Sequence, residues 1–104
     1  MFDISIEDLR AVYEQLKGKY DLIWTTTAVL DEGFTADFPI IVGKAHGLII
    51  ELFEDCGDFV LDVIDETHTK GTHWHPNDVE SAVDDIIEFM EGKSFYDLHL
   101  FRQQ

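Results

Sequence analysis

The 104-residue chain is short of basic side chains, and this shortage narrows what it can bind. Seven Lys and Arg residues stand against 22 Asp and Glu residues, a formal net charge of −15. Direct nucleic-acid binding depends on basic side chains that displace counterions from phosphates, so we expect no nucleic-acid partner. An anionic membrane surface is disfavoured for the same reason. The charge instead favours a basic protein partner.

Cysteine and long apolar runs are also scarce. Cys56 is the single cysteine, so it has no partner for an internal disulfide, and a reduced thiol suits the cytoplasm. No run approaches the ~20 apolar residues of a membrane span. The opening residues MFDISIEDLR lack the basic and apolar segments of a signal peptide. We therefore expect a cytoplasmic protein.

Motifs that carry enzyme chemistry are missing from the chain. There is no glycine-rich phosphate loop, no G-x-S-x-G and no H-E-x-x-H. The aspartates at 55, 58, 62 and 65 do not follow the spacing of a calcium loop. We therefore expect no enzymatic activity, no catalytic residues and no cofactor.

Hydrophobic periodicity predicts two helices. Residues 5–18 have apolar side chains at helical spacing, with Ser5 as the N-cap and Gly18 at the stop. Residues 77–92 repeat the pattern, with Asn77 and Glu80 resembling a capping box. Gly92 is the predicted end of this second helix.

Four segments between the helices are typical of strands: 21–29, 39–45, 47–54 and 58–66. Residues 30–38 are predicted as a loop, Gly43 as a β-bulge, and the tail 93–104 as either a strand or a short helix. Short connections imply antiparallel pairing. The sequence thus predicts a single α+β two-layer domain spanning 1–104, with an N-terminal helix, a four-stranded antiparallel meander, a C-terminal helix and a short tail.

One face of the 47–66 hairpin is expected to meet solvent, but it is less polar than a solvated face normally is. Leu48, Ile50 and Leu52 share the side expected beneath the helices, and the opposite side mixes large apolar residues with carboxylates. The members of that second side are Ile49, Glu51, Phe53, Val60, Asp62 and Ile64. Three coverings are open: the chain's own loop or tail, a second copy in a homodimer, or a foreign partner.

The segment T-H-W-H-P-N-D at 72–78 places His73 and His75 on one side of an extended chain and Trp74 on the other. Such imidazoles, with His68 nearby, are weak candidates for zinc ligands. The simpler interpretation is a corner at which Trp74 packs into the core or onto the second helix. We therefore expect no metal site.

Residues 72–92 resemble the C-terminal part of small, acidic bacterial α+β proteins. In size, charge and pattern the whole chain is similar to immunity proteins of bacterial toxin systems. This resemblance implies a compact domain that binds and neutralises a basic toxin, such as a nuclease toxin domain.

The leading hypothesis is therefore an immunity protein. Steering by charge, followed by anchoring through apolar side chains, would place its partner-binding residues on the mixed hairpin face or on the second helix. The candidates are Glu51, Phe53, Asp62, Ile64 and Asp65, with Asp84, Asp85 and Glu88 as a second surface. The alternatives are a dimeric secretion-type chaperone and a metal-binding protein centred on the histidine cluster.

Overall fold

The computed structural model describes residues 3–26, 28–29, 35–36, 38–67 and 71–92. Five antiparallel strands form one sheet in the order β1-β4-β5-β6-β7, and β2 and β3 pair separately. The elements are α1 (Ile6–Leu16), β1 (Ile23–Thr25), β2 (Ala28–Val29), β3 (Thr35–Ala36), β4 (Ile40–Ala45), β5 (Leu48–Asp55), β6 (Asp58–Asp65), β7 (Gly71–Trp74) and α2 (Val79–Met90).

The predicted α+β class is confirmed, but the strand count was wrong. Gly71–Trp74 pairs with β6 as a fifth strand, at the edge of the sheet among the described residues. Thr35–Ala36 also forms a short strand inside the segment predicted as a loop. The predicted alternatives for residues 93–104 lie outside the described residues.

Both helices begin at side chains that cap their free amide groups. Ser5 Oγ accepts from the Asp8 amide at 3.3 Å, while Asp8 Oδ2 accepts from the Ser5 amide at 2.9 Å, so α1 starts with a capping box. Helix α2 starts one residue later than predicted: its N-cap is Asp78, whose Oδ1 accepts from the Ser81 amide at 2.8 Å. Gly92, with φ 70°, follows its last turn as predicted.

The main core lies between the helices and the first face of the sheet. It contains Leu48, Ile50 and Leu52 of β5, as their alternation predicts. They pack with apolar side chains from β6, α1 and α2, among them Phe59, Leu61, Leu9, Val12, Ile86 and Phe89.

Gly43 does not form the predicted bulge. The register of β4 against β5 is continuous through Gly43↔Ile50. A Cβ at this position would lie 2.6 Å from Leu22 Cδ2 and 3.5 Å from Met90 Sδ. Glycine at this position therefore leaves room for the side chain of Leu22 and, at 3.3 Å from the same point, for Cγ2 of Ile50.

The two hairpins around β5 turn in two residues each. His46 and Gly47 have φ of 57° and 76°, and Cys56 and Gly57 have φ of 53° and 86°. Positive φ at both central residues is the signature of a type I′ turn, whose twist matches that of the flanking strands. These turns fix the register that aligns the side chains of the candidate site.

No helix in the described part of the chain is long and apolar enough to cross a membrane.

Candidate functional site

Much of the second face of the sheet is buried in the chain's own fold. Glu51 is only 6% exposed, and Phe53 and Ile64 are each 8% exposed. Phe38 packs on Phe53 with ring centroids 5.1 Å apart, and Ile40 joins this smaller apolar cluster. Of the three coverings open from the sequence, the structure therefore shows the chain's own.

This burial includes three of the predicted partner-binding residues. Glu51, Phe53 and Ile64 are largely inaccessible to solvent in the folded chain. Asp62 and Asp65 are half-buried, and Asp65 Oδ2 accepts a hydrogen bond from Thr67 Oγ1 at 2.9 Å.

Two of the three predicted acids of α2, in contrast, are accessible. Asp84 and Glu88 are exposed, and Glu80, which was not among the predicted binding residues, is exposed one turn earlier. Residues four apart lie on one side of a helix, so Glu80, Asp84 and Glu88 form a single row, here called the α2 acidic row. The spacing of four was the sequence signal that would have included Glu80.

No ion pair neutralises the α2 acidic row within the described residues. The ion pair that the described residues do show joins Lys17 Nζ to Glu14 at 2.7 Å, on α1. Carboxylates four residues apart repel one another, and each such pair destabilises a helix by about 0.2–0.5 kcal/mol. Among the described residues, no ion pair therefore uses the charge of this row.

Charge is unevenly divided along the chain. Residues 1–44 hold eight acids and four bases, a net of −4, and the bases are Arg10, Lys17, Lys19 and Lys44. Residues 45–104 hold fourteen acids and three bases, a net of −11. Strands β6 and β7, at one edge of the sheet, and helix α2 belong to this second group. Arg10 lies at the other edge, with its guanidinium carbon 4.6 Å from the ring centroid of Trp24 in β1.

Asp85 connects the acidic helix to the edge strand. Trp74 Nε1 donates a hydrogen bond to Asp85 Oδ2 at 3.0 Å. Burial raises the pKa of Asp85 above its ordinary value, the Trp74 bond opposes this rise, and the charges of Glu88 and Asp84 add to it. The predicted packing of Trp74 against the core and α2 is confirmed. Its bond to Asp85 was missed, since spacing alone does not say which carboxylate of α2 faces the strand.

The histidine segment is a strand end. Asp62 of β6 lies opposite His73, and Leu61 lies opposite Trp74. His75 Nδ1 lies 2.9 Å from the carbonyl oxygen of Phe59 in β6, as expected for a histidine that bonds to the backbone. The imidazole rings of His73 and His75 contact each other, with centroids 5.8 Å apart. His68 lies outside the described residues.

No group of three or more His, Cys, Asp or Glu side chains that could together hold a metal ion occurs among the residues the structure describes. Cys56 is exposed at the hairpin turn, and its hydrogen bond to Asp55, together with the nearby acids, raises the pKa of its thiol. A thiol with a raised pKa is a poor nucleophile at neutral pH.

Comparison of the chain with protein-family models, with curated proteins and with solved structures found no match.

Proposed function

We propose that the protein is a non-enzymatic binding protein that neutralises a basic partner, as an immunity protein neutralises a nuclease toxin domain. The observation that carries this proposal is the α2 acidic row: three exposed carboxylates without an ion pair among the described residues. A basic partner would relieve the repulsion within this row.

The charge arrangement favours a nuclease domain as the class of partner. An enzyme that cleaves RNA or DNA needs a basic cleft to hold the phosphate backbone. A protein with a net charge of −15 is drawn towards such a cleft, and carboxylates in a row can occupy the positions of successive phosphates.

Apolar contact surface lies next to the acids. Trp74 and Ile87 are half-buried, so each keeps part of its side chain accessible. Ile87 lies three residues after Asp84 and therefore on a neighbouring part of the helix surface. Aromatic and aliphatic anchors of this kind slow dissociation, whereas exposed charges mainly speed association.

The proposal is tested by capture from lysate of the source cell on protein coupled through its N-terminus. The informative variant is Glu80→Gln/Asp84→Asn/Glu88→Gln, which removes three charges from the α2 acidic row. Its matched control is Asp3→Asn/Glu7→Gln/Asp21→Asn, which removes three exposed charges from the other group. Both variants change the net charge from −15 to −12.

We expect the wild type and the control to capture one basic protein that the α2 variant fails to capture. One equivalent of wild-type protein should then block nucleic-acid cleavage by that purified partner. Equal capture by the two triple variants would reject the acidic row as the binding surface. A captured partner whose nuclease activity is absent or unaffected would reject the neutralising role.

A further inference from the structure

We infer that His73 and His75 form a surface site for one divalent transition-metal ion, held through two imidazole nitrogens. The site is separate from the proposed protein-binding surface, because alternation along β7 places His73 on the opposite side of the strand from Trp74 and α2. Three observations support it: the tautomer of His75, the separation of the two rings, and the rigidity of the backbone that holds them.

The tautomer of His75 follows from its hydrogen bond. The Phe59 carbonyl oxygen can only accept, so His75 Nδ1, 2.9 Å away, carries the proton and donates. In the neutral ring the lone pair is then on Nε2, and His75 is exposed. A ligating histidine typically donates its other ring N–H to a carbonyl or carboxylate in this way, which fixes the ring and raises the basicity of the ligating nitrogen.

The separation of the rings suits a shared ion. Their centroids are 5.8 Å apart, and the ring planes meet at 78°. An ion ~2.0–2.1 Å from one nitrogen of each imidazole would hold the two centroids roughly 5–6 Å apart. Two imidazoles are also the ligand type preferred by Zn²⁺, Ni²⁺ and Cu²⁺, and water would complete the coordination shell.

The backbone holds the pair in place before any ion arrives. His73 is in register with Asp62 of β6, and His75 is bonded to Phe59 of the same strand. Between them, Trp74 is anchored on α2 through Asp85. Pro76 restricts His75 to an extended conformation, which keeps both rings on one side. The half-buried carboxylate of Asp62 adds favourable charge for a cation next to His73.

The test is a titration of the untagged protein with zinc chloride, followed by NMR of the imidazole nitrogens. We expect 1:1 binding that shifts the Nε2 resonance of His75 and a nitrogen resonance of His73, while the His75 Nδ1 proton is retained. His73→Asn and His75→Asn should each weaken binding by about tenfold or more, because a single imidazole then remains.

The matched control is His46→Asn. His46 also bonds to a backbone carbonyl, with Nε2 3.3 Å from the Met90 oxygen. Its ring, however, makes an edge-to-face contact with Phe89 and not with a second histidine. It should bind zinc as the wild type does, and the amide spectra of all three variants should confirm that they are folded. The inference is overturned if zinc does not shift the two rings, if only one of the His73 and His75 variants weakens binding, or if His46→Asn weakens it equally.

Discussion

Trp74 Nε1 donates a hydrogen bond of 3.0 Å to Asp85 Oδ2, and this bond joins the edge strand β7 to helix α2. Trp74 also packs against the main core, so one side chain links the sheet, the core and the acidic helix. This connection therefore links the helix that carries the α2 acidic row to the strand that carries His73.

Trp74→Phe should destabilise the fold by about 1–2 kcal/mol, because it keeps most of the apolar contact but leaves the half-buried Asp85 carboxylate without its indole donor. The free energy of unfolding, measured with urea, reports the loss. In an Asp85→Asn background the same substitution should cost less, because the acceptor is then no longer charged. An equal cost in both backgrounds would show that the bond contributes no coupling energy.

Asp85 should make stability rise on mild acidification. The pKa of Asp85 is raised in the folded state. At a pH between the pKa of the unfolded chain, about 3.9, and the pKa of the folded protein, the native protein therefore binds more protons than the unfolded chain. The free energy of unfolding then increases as pH falls through that window and decreases as pH rises through it.

Asp85→Asn removes this effect and provides the measurement. At pH 7 the variant should be more stable than the wild type by about a few tenths of a kcal/mol, because burial disfavours the charged carboxylate and Glu88 and Asp84 repel it, while partial exposure screens these effects. The difference should shrink as pH approaches 4. If the free energies of unfolding of the wild type and of Asp85→Asn changed in parallel between pH 7 and pH 4, the raised pKa of Asp85 would be contradicted.

Much of the fold could be predicted from local signals. Ser5 and the apolar spacing that follows predicted α1, and the alternation through Leu48, Ile50 and Leu52 predicted the face beneath the helices, because both depend on short-range periodicity. Strand β7 was missed because Thr72, His73 and Trp74 do not alternate between apolar and polar residues. The N-cap was misplaced by one because both Asn77 and Asp78 are good caps.

The candidate site was harder to predict, because it depends on contacts distant in sequence. Nothing near Glu51 says whether that face of the hairpin is covered, since the covering residues need not be its neighbours in the chain. The helix acids fared better. The helical pattern of residues 77–92 put Asp84 and Glu88 away from the apolar side, and both are exposed, because a helix with one apolar side leaves the other to solvent.

Gly43→Ala should destabilise the fold by about 1–3 kcal/mol, since the added Cβ would stand 2.6 Å from Leu22 Cδ2. Thermal unfolding measures the loss. Gly18→Ala is the control, because a methyl group added there would meet no atom within 4 Å, and it should be neutral or slightly stabilising. Adding Leu22→Ala to Gly43→Ala should cost less than the sum of the two single changes. If the two changes were strictly additive, the contact with Leu22 would not be the cause of the lost stability in Gly43→Ala.

Cys56→Asn should stabilise the hairpin turn by about 0.5–1 kcal/mol, because asparagine tolerates the positive φ of 53° better than cysteine does. Cys56→Ser is the control: it removes the thiol without relieving the backbone, so its unfolding midpoint in urea should match that of the wild type. If Cys56→Asn and Cys56→Ser were equally stable, the loss of the thiol, and not a relieved backbone at the turn, would explain the gain in stability of Cys56→Asn.

The association rate constant of the captured partner, measured at low and high ionic strength by stopped-flow, tests the central claim most directly. Steering by the α2 acidic row predicts that Glu80→Gln/Asp84→Asn/Glu88→Gln slows association by about tenfold or more at low salt, that high salt slows the wild type similarly, and that dissociation changes little. Asp3→Asn/Glu7→Gln/Asp21→Asn should slow association far less. Equal rate constants for the two triple variants, or a wild-type rate constant that does not depend on salt, would contradict the claim.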